Sequence, residues 1–213
     1  MRVQWFGQAA FLLVSDSGLR VITDPYDPAI GYREIGEAAE VVTISHEHRD
    51  HNYVKNLTGN PAIVKGAGIH ETNGVQFKGI ATSHDRNQGK ERGSNTVFCF
   101  SIDGVRVCHM GDLGHIPGKQ EIEAIGRVDL LLIPVGGFFT IDDSEASEIV
   151  QALHPGIVMP MHYRTEKSGQ HLAPVDKFLA GKDNVVRPTG PWFEIKPAEL
   201  PQPTEIVVLP HTR

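Results

Sequence analysis

The sequence has few cysteines, no secretory signal pattern and no long apolar run, and each absence excludes a class of protein. Only two cysteines occur in 213 residues, whereas small secreted domains usually carry a disulfide framework. The stretch from Met1 to Phe6 lacks the basic and apolar regions of a secretory signal. No apolar run approaches the roughly 20 residues of a membrane span. We therefore expect a cytoplasmic protein with no membrane span.

Positive charge is in deficit, because 20 lysines and arginines face 26 acidic residues and the formal net charge is −6. Proteins that coat nucleic acid are basic overall, so no nucleic-acid partner is expected. The G-x-S-x-G nucleophile elbow and the G-x-x-x-x-G-K-[ST] phosphate loop are both missing. The sequence therefore gives no support to a serine hydrolase of that type or to a P-loop nucleotide-binding protein.

Hydrophobic residues make up 40% of the chain, and 22 glycines and 14 prolines favour many strands and turns. Helical spacing predicts a helix over Ser144–Leu153, capped by Asp142 or Asp143, and shorter helices near 122–125 and 175–179. The proline-rich tail from Pro197 to Pro210 is expected to be an extended surface segment. Strands are expected at 3–6, 11–14, 19–23, 41–45, 62–64, 75–81, 96–102, 105–108, 130–133 and 157–161. Because strands and helices alternate only partly, we expect one domain over residues 1–213, a sandwich of two mixed sheets with helices outside.

A two-residue turn, Asp103-Gly104, joins two of these strands and fixes their pairing. Counting outward from Ile102 and Val105 places Cys99 opposite Cys108, in a non-hydrogen-bonded pair whose side chains are close. Buried cysteines commonly act as small hydrophobic residues. We expect both thiols to stay reduced.

The run from His46 to His51, HEHRDH, places three imidazoles and a carboxylate within six residues. Such a group is costly to bury unless a cation holds it together, and neutral imidazole and carboxylate are ligands of zinc and similar metals. His46 and His48 can converge on one metal, while Asp50 and His51 can face a second. Further candidate ligands follow predicted strands: His84, Asp112 and His162.

These residues, in this order, resemble the metal-binding motifs of the metallo-β-lactamase superfamily. The surrounding segments are most similar to its ascorbate-6-phosphate lactonase-like branch, which includes uncharacterised Zn-dependent hydrolases and the N-acyl-phosphatidylethanolamine phospholipase D type. The segments that carry this likeness are Val21 to Tyr26 around Asp24, Gly111 to His115, and Pro160 to Tyr163. The resemblance extends over most of the chain, from about residue 2 to about residue 165.

The resemblance implies an α/β fold, the four-layer αββα sandwich of two mixed β-sheets, with the site at one edge between the sheets. The ligands that it implies are His46, His48 and His84 for a first metal, Asp50, His51 and His162 for a second, and Asp112 as a bridge. Two divalent cations, zinc or else manganese or iron, would lie about 3.5–4 Å apart and convert a bridging water into the hydroxide nucleophile. Asp50 would also orient that hydroxide.

Further residues are candidates for supporting roles. Asp24 is predicted to accept a hydrogen bond from a ligand histidine, with a turn before Pro25 as the alternative. His115, three residues beyond Asp112, is predicted to contact the substrate or protonate the leaving group, and Tyr163 is a weaker candidate. Surface packing is the alternative for both. The other histidines are interpreted as packing or exposed residues: His70, His109, His154, His171 and His211.

The polar segment 85–93 follows His84, and its basic residues outnumber its acidic ones: Arg86, Lys90 and Arg92 against Asp85 and Glu91. Guanidinium groups match carboxylate and phosphate, so this segment favours an anionic substrate. A solvated lid over the site is the alternative. Phe138 and Phe139 are predicted either to line a pocket or to join the core.

The sequence therefore predicts an enzyme, a metal-dependent hydrolase acting on a small ester, lactone or phosphodiester, with an anionic substrate favoured. The alternative is a mononuclear-iron protein of the same fold that handles redox chemistry or oxygen. The zincin motif H-E-x-x-H is excluded because residue 50 is aspartate, and the oxygen-reducing di-iron branch has glutamate where this chain has His48. The sequence makes no prediction of the oligomeric state.

Overall fold

The secondary structure is rich in strands, as the composition predicts. The computed structural model describes residues 1–168 and 170–213. In these ranges the α-helices are α1 (Lys119–Ile125), α2 (Asp143–Leu153) and α3 (Val175–Leu179). The strands are β1 (Arg2–Gly7), β2 (Ala10–Val14), β3 (Arg20–Thr23), β4 (Val41–Ile44), β5 (Ala62–Lys65), β6 (Gly68–Thr72), β7 (Val75–Ser83), β8 (Ser94–Ile102), β9 (Val105–His109), β10 (Leu130–Pro134), β11 (Ile157–Met161), β12 (Val185–Val186), β13 (Phe193–Glu194) and β14 (Glu205–Val207). None of the helices in these ranges is long and apolar enough to cross a membrane.

The strands form two mixed sheets. The first sheet has the order β13-β1-β2-β3-β4-β5, antiparallel up to β3 and parallel from β3 to β5. The second has the order β12-β14-β11-β10-β9-β8-β7-β6, antiparallel from β6 to β9 and parallel from β9 to β12. Strands β7, β9, β10 and β11 therefore run in the same direction, and their carboxyl ends share one edge of the second sheet.

The main core lies between the two sheets. Successive residues of a strand point to opposite faces of its sheet, so every second residue faces the other sheet. Trp5 and Leu13 belong to the cluster that the first sheet shares with the second sheet and with all three helices. Their neighbours Phe6 and Leu12 face outward and pack in a second cluster beneath Tyr26 and other residues of the loops. Alternating apolar residues thus give the first sheet two buried faces.

Helix α2 begins with a capping box, which selects between the two predicted caps. The carboxylate of Asp142 accepts hydrogen bonds from the backbone N–H groups of Ser144 and Glu145, both at 3.0 Å. The Glu145 carboxylate in turn accepts the N–H of Asp142 at 2.9 Å. Asp142 is therefore the N-cap.

The prediction of a surface tail over Pro197–Pro210 is wrong for its second half. Strand β14 lies between β12 and β11, and Val207 is fully buried. The run from Ile206 to Leu209 is apolar, and burial of these side chains outweighs the tendency of the flanking prolines to end a strand.

The pairing across Asp103-Gly104 is as predicted. Ile102 lies opposite Val105, and Cys99 lies opposite Cys108. The two sulfur atoms are 3.8 Å apart, and both cysteines are thiols. That they stay reduced in solution remains a prediction.

Candidate metal centre

The carboxyl ends of strands from both sheets bring the predicted ligands together. The HEHRDH run follows β4 of the first sheet, and His84, Asp112 and His162 follow β7, β9 and β11 of the second sheet. The edge shared by these three strands faces the end of β4. Residues that are distant in the chain therefore meet at one end of the sandwich.

Three histidines form one group of converging nitrogen atoms. In His46, His48 and His84, one ring nitrogen from each lies within 4.8 Å of the others. The Nε2 atom of His46 is 3.0 Å from the Nδ1 atom of His48. The rings of His46 and His84 are buried, while His48 is the most accessible of the three and lines a cavity. This group has the donor number and atom types of a zinc site with a coordination position left for water or substrate.

A second group lies beside the first and consists of Asp50, His51, Asp112 and His162. One oxygen of Asp112, Oδ2, is 3.2 Å from Nε2 of His51 and 3.3 Å from Nε2 of His162. The same oxygen is 3.2 Å from Nε2 of His84, which belongs to the first group. Asp112 therefore lies between the two groups, and all seven predicted ligands are brought together.

The electrostatics of the cluster fit a cation. Burial lowers the pKa of His46 to about 3, and the nearby His51 contributes to the same shift. The imidazole of His46 is therefore neutral and able to ligate at neutral pH. Burial alone would raise the pKa of Asp112, but His162 and His51 hold it well below its usual range. The effect on His51 is the reverse, because Asp112 and Asp50 raise its pKa well above the ordinary value despite burial. The carboxylates thus favour positive charge at this point, as a proton or as a metal ion.

Buried polar atoms in the cluster also lack partners. Within residues 1–168 and 170–213, Oδ1 of Asp112 is buried and has no hydrogen-bond partner, and the buried Nε2 of His51, although 3.2 Å from Oδ2 of Asp112, is not aligned for a hydrogen bond. Such atoms are rare in folded proteins and commonly mark an ion or a water molecule. Together with the nitrogen and oxygen donor set, they show that these residues fit a divalent metal.

Asp24 lies where the sequence predicts it, against one of the predicted ligand histidines. Its Oδ2 atom is 2.9 Å from Nδ1 of His51, and its Oδ1 atom accepts the backbone N–H of Ser45 at 2.8 Å. The Ser45 hydroxyl donates to Asp24 and also lies 2.9 Å from Nδ1 of His46. One fully buried carboxylate therefore orients one imidazole directly and a second through Ser45.

Two supporting residues were not predicted. The side-chain amide of Gln8 donates to Oδ2 of Asp50 at 2.9 Å, and the Gln8 carbonyl accepts the N–H of His162 at 3.1 Å. Asn95 accepts the N–H of Asp112 at 3.0 Å and donates to the carbonyl of Met110 at 2.9 Å. The sequence did contain an indication of Asn95, because an amide side chain is unusual in an apolar strand such as β8. The turn that holds Gln8 contains no comparable indication.

Glycine is required at the turn that presents Asp112. Gly111 has φ +56°, and a Cβ atom there would lie 2.4 Å from Oδ1 of Asn95 and 2.5 Å from Cβ of Ser45. Any larger residue would push Asp112 away from the histidines. This explains the Gly-Asp pair in the sequence.

The structure does not bring His115 or Tyr163 to the cluster. Nε2 of His115 accepts the backbone N–H of Ser83 at 3.2 Å, and His115 is not among the described residues that line the cavity. Tyr163 packs on Trp5, with ring centroids 5.0 Å apart, in a separate groove. The predicted substrate contacts of these two residues therefore lack geometric support.

The segment 85–93 is an ordered loop built on one carboxylate. Asp85 accepts four backbone N–H groups, from Asn87, Gly89, Glu91 and Arg92, at 2.8–3.0 Å. These bonds outweigh desolvation and lower the pKa of Asp85 to about 2. Arg86 is directed to helix α2, where it makes two bonds of 2.8 and 3.1 Å to Glu145.

A cavity of about 450 Å³ opens over the cluster. Its floor includes His48, Asp50, His84, Asp112 and His162, and its walls include Arg92, Phe139 and His171. Of the three basic residues in the segment 85–93, only Arg92 lines this cavity within the described residues.

Residues 2–162 match the family model described as the Beta-lactamase superfamily domain. The chain belongs to the metallo-β-lactamase superfamily. A UPF0173 metal-dependent hydrolase from Thermococcus onnurineus is 30% identical over 78% of this chain and 85% of that protein. A UPF0173 protein from Pyrococcus furiosus is 31% identical over 78% of this chain and 84% of that protein.

The crystal structure of a candidate Zn-dependent hydrolase of this superfamily from Thermotoga maritima has a TM-score of 0.81 and 37% identity, covering 98% of this chain and 97% of that one. This likeness confirms the α/β sandwich of two mixed sheets that the sequence predicts. The names of the relatives confirm the predicted class of enzyme, a metal-dependent hydrolase of the metallo-β-lactamase superfamily.

Proposed function

We propose that this protein hydrolyses a small ester, lactone or phosphodiester at a dinuclear zinc centre. The observation that carries the proposal is the position of Asp112, whose Oδ2 atom lies 3.2–3.3 Å from Nε2 of His84, His51 and His162. One carboxylate oxygen thus contacts both groups of nitrogen donors, which is the position of a bridging ligand in a two-metal site.

The proposed ligands are His46, His48 and His84 for one metal and Asp50, His51 and His162 for the other, with Asp112 shared. When bound, two such cations lower the pKa of a shared water to near neutrality, supply hydroxide as the nucleophile and polarise the bond under attack.

The protein's own residues prepare this chemistry. Asp24 and Ser45 hold the rings of His51 and His46 in place, which favours their ligating nitrogens. The Asp50 carboxylate lines the cavity and is fixed by Gln8. It is therefore placed to orient the attacking water. Asp112 and His84 are almost fully buried, which strengthens electrostatic interactions at this part of the cavity floor.

The cavity limits the substrate to a small molecule, since about 450 Å³ is typical of metabolite-sized ligands. With neutral histidines and only two carboxylates, Asp50 and Asp112, among the ligands, a pair of divalent cations would leave the centre positive. This favours an anionic substrate. A cytoplasmic location and a single domain over residues 1–213 remain predictions.

Metal analysis combined with a hydrolysis panel tests the proposal. Protein expressed in minimal medium with zinc is expected to contain two zinc ions per chain. It is expected to hydrolyse at least one of dihydrocoumarin, 4-nitrophenyl acetate and bis(4-nitrophenyl) phosphate. A chelator should abolish turnover, zinc should restore it, and His48→Ala should be inactive. One iron ion per chain, with oxygen consumption and no hydrolysis, would support the mononuclear-iron alternative instead.

A further inference from the structure

The side chains of Arg92, Phe139 and His171 line the cavity, and the exposed ring of Phe138 lies just outside this lining, packed between the last two. The guanidinium carbon of Arg92 lies 3.9 Å from the ring centroid of Phe139, and Phe139 meets Phe138 edge-on at 4.4 Å. Phe138 stacks on His171 with ring centroids 5.6 Å apart and planes 23° apart. These four residues, here called the aromatic rim, come from the loops after β7, β10 and β11. Three loops therefore meet in one ordered surface beside the metal cluster.

Phe138 adopts a backbone conformation that its own packing does not explain. Its φ is +63°, a value that is a genuine outlier for a bulky residue. The N–H of Phe139 donates to the carbonyl of Gly137 at 2.7 Å, which makes Phe138 the centre of a three-residue turn of the rare, strained hand. Yet the side chain of Phe138 is 70% exposed, so its burial contributes little stability to offset this backbone strain. Strain of this kind is concentrated at functional sites.

Arg92 differs from Arg86 and Arg49 in having no acidic partner among the residues that the structure describes. Arg86 is paired with Glu145 and Arg49 with Asp27, whereas no carboxylate lies within 4.0 Å of the exposed Arg92 guanidinium in the described part of the chain. One face of the guanidinium rests on Phe139, which leaves its N–H edge available to an anion. The backbone of Arg92 is held by Asp85 at 2.8 Å. The cation is therefore well placed over the cavity.

We propose that the aromatic rim selects substrates that carry a flat ring and an anionic group, carboxylate or phosphate, on the part remote from the bond that is cleaved. Arg92 binds the anion, and Phe138 packs on the ring together with His171. The expected effect of the aromatic rim on turnover rests on the proposed hydrolase function, whereas the expected binding of an aromatic anion does not. The aromatic rim assigns anion recognition to one of the three basic residues of the segment 85–93.

Matched substrates test the role of Arg92 on the metal-loaded enzyme. The substrates are phenyl acetate, 4-carboxyphenyl acetate and 4-phosphonophenyl acetate, or the same aryl groups on a methyl phosphodiester if that class is hydrolysed. Arg92→Met is expected to reduce the preference for the anionic substrates about tenfold, mainly through KM. The relative losses for the carboxylate and the phosphonate show which anion the site prefers. Lys90→Met, which removes an exposed cation of the same loop outside the cavity, should leave the preference unchanged.

Binding of 2-naphthoate, measured by titration calorimetry on the same protein, tests the rim without turnover. Acetate is the reference, because it shares the carboxylate but has no ring. Arg92→Met is expected to weaken 2-naphthoate binding about tenfold, and Phe138→Gly about fivefold. Phe138→Gly is also expected to leave Tm unchanged or raise it, because glycine accepts a positive φ.

The outcomes separate the two proposals. If no substrate is hydrolysed but both variants weaken 2-naphthoate binding, the aromatic rim stands and the proposed function fails. If hydrolysis occurs but neither variant changes the substrate preference or the Kd, the rim proposal is overturned. A lower Tm of Phe138→Gly with an unchanged Kd would show that Phe138 is structural, which would also overturn it.

Discussion

Replacing Asp112 by asparagine is expected to lower kcat/KM by about 10³-fold or more and to reduce the metal content from two ions per chain to one or none. The reason is geometric, because a single oxygen of Asp112 contacts histidines of both groups. An asparagine at this position presents a neutral oxygen and an amide that cannot ligate. Both metals would lose a charged ligand, and the buried histidines would lose their acidic neighbour.

The effect of Asp112→Asn is measured by plasma emission analysis of the purified protein, together with kcat/KM on the best substrate of the panel. Asp176→Asn is the matched control, because Asp176 is an exposed carboxylate that pairs with Arg187 at the surface. Circular dichroism would show whether the variant is folded. A folded Asp112→Asn protein with two tightly bound ions and normal turnover would contradict the bridging role.

Replacing Asp24 by asparagine is expected to weaken zinc binding about 10- to 100-fold, although Asp24 itself is not a proposed ligand. The carboxylate faces three donors, from the His51 ring, the Ser45 backbone and the Ser45 hydroxyl. An asparagine has only one acceptor oxygen, so at least one of these bonds is lost and the ring of His51 is free to turn. Leaving a buried donor without a partner also costs about 1–3 kcal/mol of stability.

Zinc affinity of Asp24→Asn is measured by competition with a chelating dye, and stability by denaturant unfolding of the metal-free protein. Ser45→Ala provides a graded comparison, because it removes the hydroxyl near His46 and keeps the direct contact between Asp24 and His51. Its zinc affinity should fall less than that of Asp24→Asn. Equal zinc affinity in Asp24→Asn and the unmodified protein would refute the positioning role.

The sequence was most informative where local rules decide the structure. The apolar strand β4 is followed by HEHRDH, and the segments before His84, Asp112 and His162 are equally clear strands, so the ligand-bearing loops could be predicted. The pairing of Cys99 with Cys108 followed from one two-residue turn. In each case, nearby residues determine the geometry.

The sequence was least informative where the partner of a residue is distant in the chain. Arg86 was one of the basic residues that favoured an anionic substrate, but its guanidinium binds Glu145, 59 residues away. Gln8 supports Asp50 across 42 residues, and no local pattern indicates that contact. His171 is exposed, in agreement with one of its two interpretations, but its position at the cavity and its stacking on Phe138 were not predicted. Such contacts are set by the packing of loops, which a single sequence does not reveal.

Anomalous diffraction at the zinc edge from crystals of the zinc-loaded protein tests the central claim most directly. We expect two peaks about 3.5–4 Å apart, one among His46, His48 and His84 and the other among Asp50, His51 and His162, with Asp112 between them. A single peak would contradict the dinuclear centre. Peaks that lie away from these seven side chains would contradict the assignment of the site itself.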